Sequence, residues 1–433
     1  MKIWILFVLG VSAATASNAQ TLRIFHIDVD QGDSTLFVSP SGRSLLVDTG
    51  NTGQGPRIRA AMARAGVTQI DHLVTTHYHS DHYGAADELI TDSPATTVVN
   101  VHDRGDKAFL PASKTSGDRY TEYDNALGHR AHHLMRGETI ALDSSMVVTC
   151  ISSGSVVLGE APIQHGPDEN DMSISLLIQF GDFRYFVGGD IHEHTEQKIA
   201  NLDLVTEVDV YQANHHGSHT SSSLDFMTDL TPTLIVISNG NHGGHEHPRQ
   251  VTLNTYAGLT PAPTVLQTNK YTKGGDGGTV ADEFIADLDT TGDDGEIVLT
   301  VQPDGAYTAA YRGMTRTFQS KPRVATGAPT ISIISLLADP IGSDRDLEQV
   351  ELRNNHTASV DLTGWLLRDE SGRVWSLTSL GTVDSGDTAT IIRGAMAMTL
   401  NNGGDTIQVV DAAGAVVNEV TYGAASTGSV VTF

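Results

Sequence analysis

The sequence predicts an α/β chain in which an αββα sandwich is followed by a small β-sandwich. Three observations carry that expectation. Strand-length apolar runs and helix-like stretches follow one another through the first two thirds of the chain, and the texture changes at Lys321. The single cysteine, Cys150, excludes an intrachain disulfide, so packed cores and bound metal must supply the stability. A length of 433 residues suits two domains, and 39% hydrophobic residues with 43 glycines describe a globular, loop-rich protein.

Before the first strand, Lys2 opens a basic start, Ile3 to Val11 is almost continuously apolar, and Ser17-Asn18-Ala19 has the small residues of a cleavage site. Residues 1–19 therefore read as a secretory signal peptide, which predicts a secreted or periplasmic protein. No later apolar run approaches the length needed to cross a bilayer. The net charge of -26 favours solubility and repels polyanions at long range, which counts against a nucleic-acid substrate.

Leu22 to Val29, Ser34 to Val38 and Ser44 to Val47 read as strands, with Pro40-Ser41-Gly42 as a turn. Arg57 to Ala65 is helix-like and ends at Gly66. Asp71 to Thr75 is a short buried strand, and Ala85 to Ile90 starts a helix. Met146 to Ile151 is a further apolar strand, which makes Cys150 a small buried hydrophobe rather than a nucleophile. Ser173 to Phe180 and Tyr185 to Val187 pair across Gly181-Asp182. A polar helix then runs through Glu196, followed by strands Val208 to Gln212 and Leu234 to Ser238. The first domain is placed at 20–320, a linker at 321–328 around Pro322 and Thr326 to Pro329, and the second domain at 329–433. Strands Glu348 to Leu352, Gly364 to Leu367, Thr388 to Ile392, Thr406 to Val410 and Val416 to Val420 make that second unit all-β.

The chemistry is concentrated in His77-Tyr78-His79-Ser80-Asp81-His82. His77 and His79 alternate, so an extended stretch turns both the same way, and Asp81 and His82 follow where the chain enters a helix. Imidazoles and a carboxylate suit zinc, and a two-metal site needs several ligands within one short loop. Asp48, at the end of Leu45 to Val47, is expected to orient the cluster. Asp190, after Gly188-Gly189, is placed to bridge two metals. His215 and His216 offer the last imidazole; His215 is taken as the ligand.

His-x-His-x-Asp-His resembles the signature of the metallo-β-lactamase superfamily. Phe25 to Ser34, with Asp28-Val29-Asp30-Gln31-Gly32-Asp33 at its centre, is similar to the opening of the hydrolase domain in ComEC-type competence proteins. Asn214-His215-His216-Gly217-Ser218 is similar to that family's second signature, and Asn239-Gly240-Asn241 with His247-Pro248 to a third. The resemblance covers about residues 22–312 and implies metal-site roles for His77, His79, Asp81, His82, Asp190 and one of His215 and His216. It departs in three ways: no membrane channel accompanies it, Asp30 stands where the family usually has glycine, and the superfamily's third histidine has no counterpart. Asp171 is the candidate for that place, ahead of His165. Ala328 to Phe433 resembles a lamin-tail domain, an immunoglobulin-like sandwich, on Glu351 to Asn354, Asp361 to Trp365, Asn401 to Asp405 and Val420 to Gly423; Trp365 is expected to anchor its core.

These expectations describe a secreted metal-dependent hydrolase with two divalent ions, zinc favoured and manganese the alternative. The ions would lower the pKa of a shared water so that hydroxide forms at neutral pH. Asp81, His215 and His216 are the expected catalytic residues, the imidazole left free of metal protonating the leaving oxygen. Lys270, Lys273 and His247 are expected to hold the substrate, and Arg104, Lys107, Lys114 and Arg119 to form a basic rim; the lysines read equally as a solvated basic loop. The favoured substrate is a phosphodiester such as extracellular DNA. Another ester (a phosphocholine ester, lactone or β-lactam) is the alternative within the enzyme class, and a binding protein acting through its lamin-tail domain, toward a surface or polymer, is the alternative outside it.

Overall fold

A computed structural model of the chain describes residues 21–105, 119–140, 142–143, 145–160, 168–202, 204–289, 295–321, 331–355, 359–412 and 414–433. The expected signal peptide, His165, Lys107, Lys114, the side chain of Arg119 and nearly all of the expected linker lie outside the described residues.

Two nine-stranded sheets form the first unit. In one, Leu22–His26 lies between Ile297–Val301 and Thr35–Val38, and the order continues through Ser44–Val47, Gln69–Val74 and Thr97–Asp103. In the other, Ser175–Phe180 and Phe183–Val187 form the expected hairpin. From Phe183–Val187 the strands Val210–Gln212, Leu234–Ile237 and Thr264–Asn269 run parallel in sequence order. Strands covered on both faces read as unbroken apolar runs, and the packing follows that rule. Ile24, Leu45, Val74, Tyr185, Val210 and Val236 turn into the layer between the sheets. Their neighbours Phe25, Leu46 and Leu73 pack outward with Ile58 of the helix Gly55–Ala65 and Tyr123 of the helix Arg119–Leu127. Phe186, Tyr211 and Ile235 do the same on the far side, against Ile199 of Glu193–Asn201, Phe226 of Leu224–Leu230 and Tyr256 of Gln250–Gly258. Each fully buried side chain of this kind contributes about 1.5–3 kcal/mol, so three continuous apolar layers hold the unit without a disulfide. Cys150 is buried in the inner layer, where burial pushes its thiol pKa up and leaves it unreactive.

The strands not marked by the sequence pattern include the apolar Ile297–Val301 and Ile331–Leu337 and, in the first unit, the partly polar pair Ala306–Tyr311 and Met314–Gln319. That pair extends the first sheet beyond Ile297–Val301. The chain then closes on Lys321, whose backbone N–H donates to Asp209 Oδ1 at 2.8 Å and whose ammonium donates to the carbonyls of Val208 and Thr231.

The second unit packs four-stranded sheets, Thr388–Ile392, Gln349–Asn354, Ile331–Leu337 and Val431–Thr432 in one, Val374–Ser376, Leu366–Asp369, Asp405–Val410 and Val416–Tyr422 in the other. Ile333, Leu352, Leu367, Ile407 and Val409 fill its core, and Trp365 is buried there as expected. Trp375 lies deeper and donates its indole N–H to the Met398 carbonyl at 2.9 Å. No helix among the described residues is long and apolar enough to cross a membrane.

Because Lys321 bonds to Asp209, Val208 and Thr231 of the first unit, a chain ending at Lys321 is expected to fold cooperatively with the thermal midpoint of the full-length first unit. One ending at Gly305 strips two edge strands and is expected to lose the transition; circular dichroism melting distinguishes the two.

Candidate metal centre and cleft

The site forms where strands of both sheets end together, the usual place for ligands in α/β folds. The first sheet delivers Asp48 after Ser44–Val47 and His77 after Gln69–Val74. The second delivers Asp190 after Phe183–Val187, His215 and His216 after Val210–Gln212, and His247 beyond Leu234–Ile237.

Asp48 sits in the left-handed region, at φ 60°, and spends its carboxylate on the histidine loop. It accepts from the Thr76 N–H and hydroxyl, both at 2.8 Å, and from His82 Nδ1 at 2.8 Å. That fixes the tautomer of His82 and turns Nε2 to the centre. His77 Nε2 and His79 Nδ1 converge to 2.9 Å. A second clamp comes from Glu169, which accepts from the Tyr78 N–H at 2.7 Å and from Arg104 Nε at 2.8 Å and Nη2 at 2.6 Å. The opening turn closes the centre from above. Asp30 adopts φ 59° there, so aspartate supplies the left-handed backbone that glycine would give. Gly32 must be glycine, since a Cβ would lie 2.5 Å from the Asp81 carbonyl oxygen.

Asp190 is reached over Gly189, where a Cβ would lie 2.9 Å from Thr76, so the two sheets' loops meet only because this position is bare. His215 and His216 both take left-handed conformations, at φ 50° and 54°. Glu196 holds that loop: its buried carboxylate accepts from Asn214 Nδ2 at 2.8 Å and from the N–H groups of Ser222 and Ser223 at 2.7 and 2.8 Å. Burial still pushes its pKa up, to about 7, against those bonds. His216 Nδ1 lies 3.0 Å from the Ser238 carbonyl, which only accepts, so Nδ1 carries the proton and Nε2 is left as a lone-pair donor.

Two candidate metal-ligand groups result, with ligand atoms within 4.8 Å of one another: His77, His79 and Asp190, and Asp33, His82, Asp190 and His216. Asp190 belongs to both. Its Oδ2 lies 3.8 Å from His77 Nε2 and from His215 Nε2, and its Oδ1 lies 3.3 Å from His82 Nε2 and 3.8 Å from His216 Nε2. Asp81 Oδ2 is 3.4 Å from His216 Nε2. A divalent cation fits these residues. His82 Nε2, His216 Nε2 and Asp190 Oδ1 are buried and lack a hydrogen-bond partner, the state of ligand atoms facing a common ion. Charge agrees. Burial opposes ionisation of Asp81 and Asp190, but the facing imidazoles hold both carboxyls below their usual range. Burial likewise lowers His82 and His216, yet the carboxylates outweigh it and raise both, His216 to about 9. Without a cation the carboxylates are compensated only by protonated histidine; a cation does the same while leaving the imidazoles neutral.

The structure thus brings together His77, His79, Asp81, His82, Asp190 and His216, and corrects several expectations. His215, taken as the ligand, lies outside both candidate groups: Nδ1 pairs with Thr220 Oγ1 at 2.9 Å and Nε2 faces Asp190 Oδ2, while His216 is the imidazole of this loop that falls in a group. Asp171 turns away from the cluster and accepts from the His192 N–H at 3.1 Å and the Thr195 hydroxyl at 3.0 Å, securing the start of the helix Glu193–Asn201. Arg104 is not a rim residue; it is fully buried, pairs with Glu169 and stacks on Tyr78. Lys270 pairs with Asp282 at 2.7 Å, and neither it nor Lys273 lines the cleft. His247 does, in a cleft of about 280 Å³ shared with Gln31, His79, Ser80, Asp81, Asn170, Asp190, His215, His216 and His245. The sequence reading gave no role to Asp33, Gln31 or Glu196. The first two stand in the strand-end run Asp28 to Asp33, which was a usable signal, whereas a single helical glutamate is not.

Comparison with known proteins places two family models on the chain. The family model described as the metallo-beta-lactamase superfamily matches residues 27–238, and the lamin tail domain matches residues 325–424. The chain carries a metallo-β-lactamase domain followed by a lamin tail domain. ComE operon protein 3 of Bacillus subtilis is 25% identical over 270 residues, which cover 58% of this chain and 32% of that protein. Recombination protein 2 of Haemophilus influenzae is 25% identical over 233 residues, 53% of this chain and 25% of that protein. The chain therefore spans about a third or less of the length of these curated relatives. The metallo-β-lactamase fold protein YhfI from Bacillus subtilis aligns with a TM-score of 0.35 at 12% identity, over 57% of this chain and 95% of that one.

Within the metallo-β-lactamase domain, Asp190→Ala is expected to remove metal from both positions. Asp171→Ala should keep its metal and lose about 1–3 kcal/mol of stability from two broken buried hydrogen bonds; metal analysis and melting of the two variants check this. Arg104→Met leaves Glu169 buried and uncompensated, and is expected to cost about 3–5 kcal/mol in denaturant unfolding.

Proposed function

We propose that this metal-dependent hydrolase is a secreted phosphodiesterase, with nucleic acid as its favoured substrate, working with two divalent ions, zinc ahead of manganese. The observation that carries the reading is Asp190, whose two carboxylate oxygens face separate ligand groups. A pair of ions bound there would generate hydroxide near neutral pH and neutralise charge on a phosphoryl oxygen. The chain's own residues do the rest. Asp48 and Ser238 orient His82 and His216, and Glu196 holds the loop behind them. His215 lines the cleft free of either ligand group and is the residue to pass a proton to the leaving oxygen from Nε2. The name of one relative, Recombination protein 2, directs the search to nucleic acid. Secretion rests on residues 1–19, and the lamin tail domain is the module to hold a surface or polymer.

A second reading, hydrolysis of another ester such as a phosphocholine ester, lactone or β-lactam, is favoured by one observation. No lysine or arginine among the described residues lines the cleft. The metal-loaded protein is expected to hold about two ions per chain, lose turnover to a chelator and regain it with zinc or manganese. It should hydrolyse bis(p-nitrophenyl) phosphate and single-stranded DNA in preference to a lactone. Full activity without metal would refute the metal centre, and faster lactone turnover would favour the second reading.

A further inference from the structure

Three buried side chains outside the ligand groups line the cleft with a polar atom that has no hydrogen-bond partner: Gln31 Nε2, Asn170 Oδ1 and His247 Nδ1. An unpaired buried polar group costs about 1–3 kcal/mol, so a fold keeps one where something else completes it. For Asn170 the neighbouring contact does not fix the amide's direction. Its Nδ2 lies 3.1 Å from His192 Nε2, which can donate or accept. His247 packs directly on His215 and His216.

Gln31 is determined. Its Oε1 lies 3.3 Å from the backbone N–H of Gly240, a group that only donates, so the oxygen must occupy that end and the NH2 is the free end. The backbone around it is fixed as well. Asn51 Nδ2 donates to the Gln31 carbonyl at 2.7 Å, and Gly240 packs so closely that a Cβ there would lie 2.4 Å from Gln31 N. The residue is 7% exposed. The result is a neutral donor held on a rigid turn beside Asp81, in a cleft whose other polar groups are imidazoles, an amide, a hydroxyl and carboxylates.

We propose that Gln31 Nε2 donates a hydrogen bond to the substrate oxygen on which negative charge builds. Under the phosphodiesterase reading, on which this inference rests, that atom is a non-bridging phosphoryl oxygen. A fixed donor aimed at developing charge needs no reorganisation during the reaction, and removal of one such donor typically lowers kcat by about 10²–10³-fold. It also supplies recognition of an anionic oxygen in a cleft that no described lysine or arginine lines.

The test uses the full-length, metal-loaded protein with Gln31→Met, Gln31→Glu and Gln31→Asn. Gln31→Glu keeps an acceptor for the Gly240 N–H and removes the donor, while Gln31→Met removes both. Gln31→Asn withdraws the amide by one methylene and is the fallback if either other variant fails to fold. Readouts are kcat and KM on bis(p-nitrophenyl) phosphate, metal content, and the affinity for inorganic phosphate by calorimetry. Expected are a kcat lower by about 10²-fold or more in all three, KM and metal content within about twofold, and phosphate binding weakened about tenfold, most in Gln31→Glu. A purely structural role predicts damage in Gln31→Met and a normal Gln31→Glu, and that result overturns the proposal. So does a fall in kcat that tracks lost metal, or phosphate binding equal in variants and parent or absent from both. If the parent hydrolyses no phosphodiester but its phosphate affinity depends on Gln31, the phosphodiesterase reading fails and the Gln31 contact stands.

Discussion

The carboxylate of Asp190 is the constraint around which the first unit is arranged. It is buried between the two sheets' loops with imidazoles on every side, and an uncompensated charge in such a place costs several kcal/mol. Its compensation comes from imidazoles of two different loops, so those loops must hold their positions before the centre exists. Buried acids secure both. Asp48 ties down Thr76 and His82, Glu169 ties down Tyr78, and Glu196 ties down the left-handed turn carrying His215 and His216. The result is a centre whose ligands are set by hydrogen bonds made one layer further out.

The same arrangement explains why so many charged groups here serve the fold and not the substrate. Arg104 lies close to the histidine loop and would be a natural phosphate contact, but it is buried and engaged by Glu169, the Tyr78 ring and the Gly105 carbonyl. Lys270 is taken by Asp282 in the same way. Among the described residues no lysine or arginine is left to line the cleft. Against a net charge of -26, such a cleft gains little from long-range steering and must rely on contacts made after the substrate arrives.

Much of this was legible in the sequence because it depends on local order. The six-residue histidine run, Asp48 and Asp190 at strand ends, and the hairpin around Gly181-Asp182 are all set by short-range chain direction and by period-two alternation. Asp30 shows the same principle in a less expected form, since aspartate tolerates the left-handed turn that the resemblance assigned to glycine. Ala306–Tyr311 and the edge strand Met314–Gln319 beside it escaped notice because half-exposed strands at the end of a sheet carry no unbroken apolar run.

By itself, then, the sequence determined the two-unit α/β and all-β architecture, the candidate histidine run and the carboxylate that belongs to both candidate ligand groups, because residue type and spacing decide those. Tertiary structure alone separates His215 from His216, which are adjacent in sequence and both engage a neighbour through Nδ1: only His216 joins Asp33, His82 and Asp190 in a candidate ligand group. It also turned Asp171 into a helix anchor and left the Gln31 NH2 group without a partner in the cleft. A side chain's role at such positions depends on partners tens to hundreds of residues away, and no local pattern carries that information.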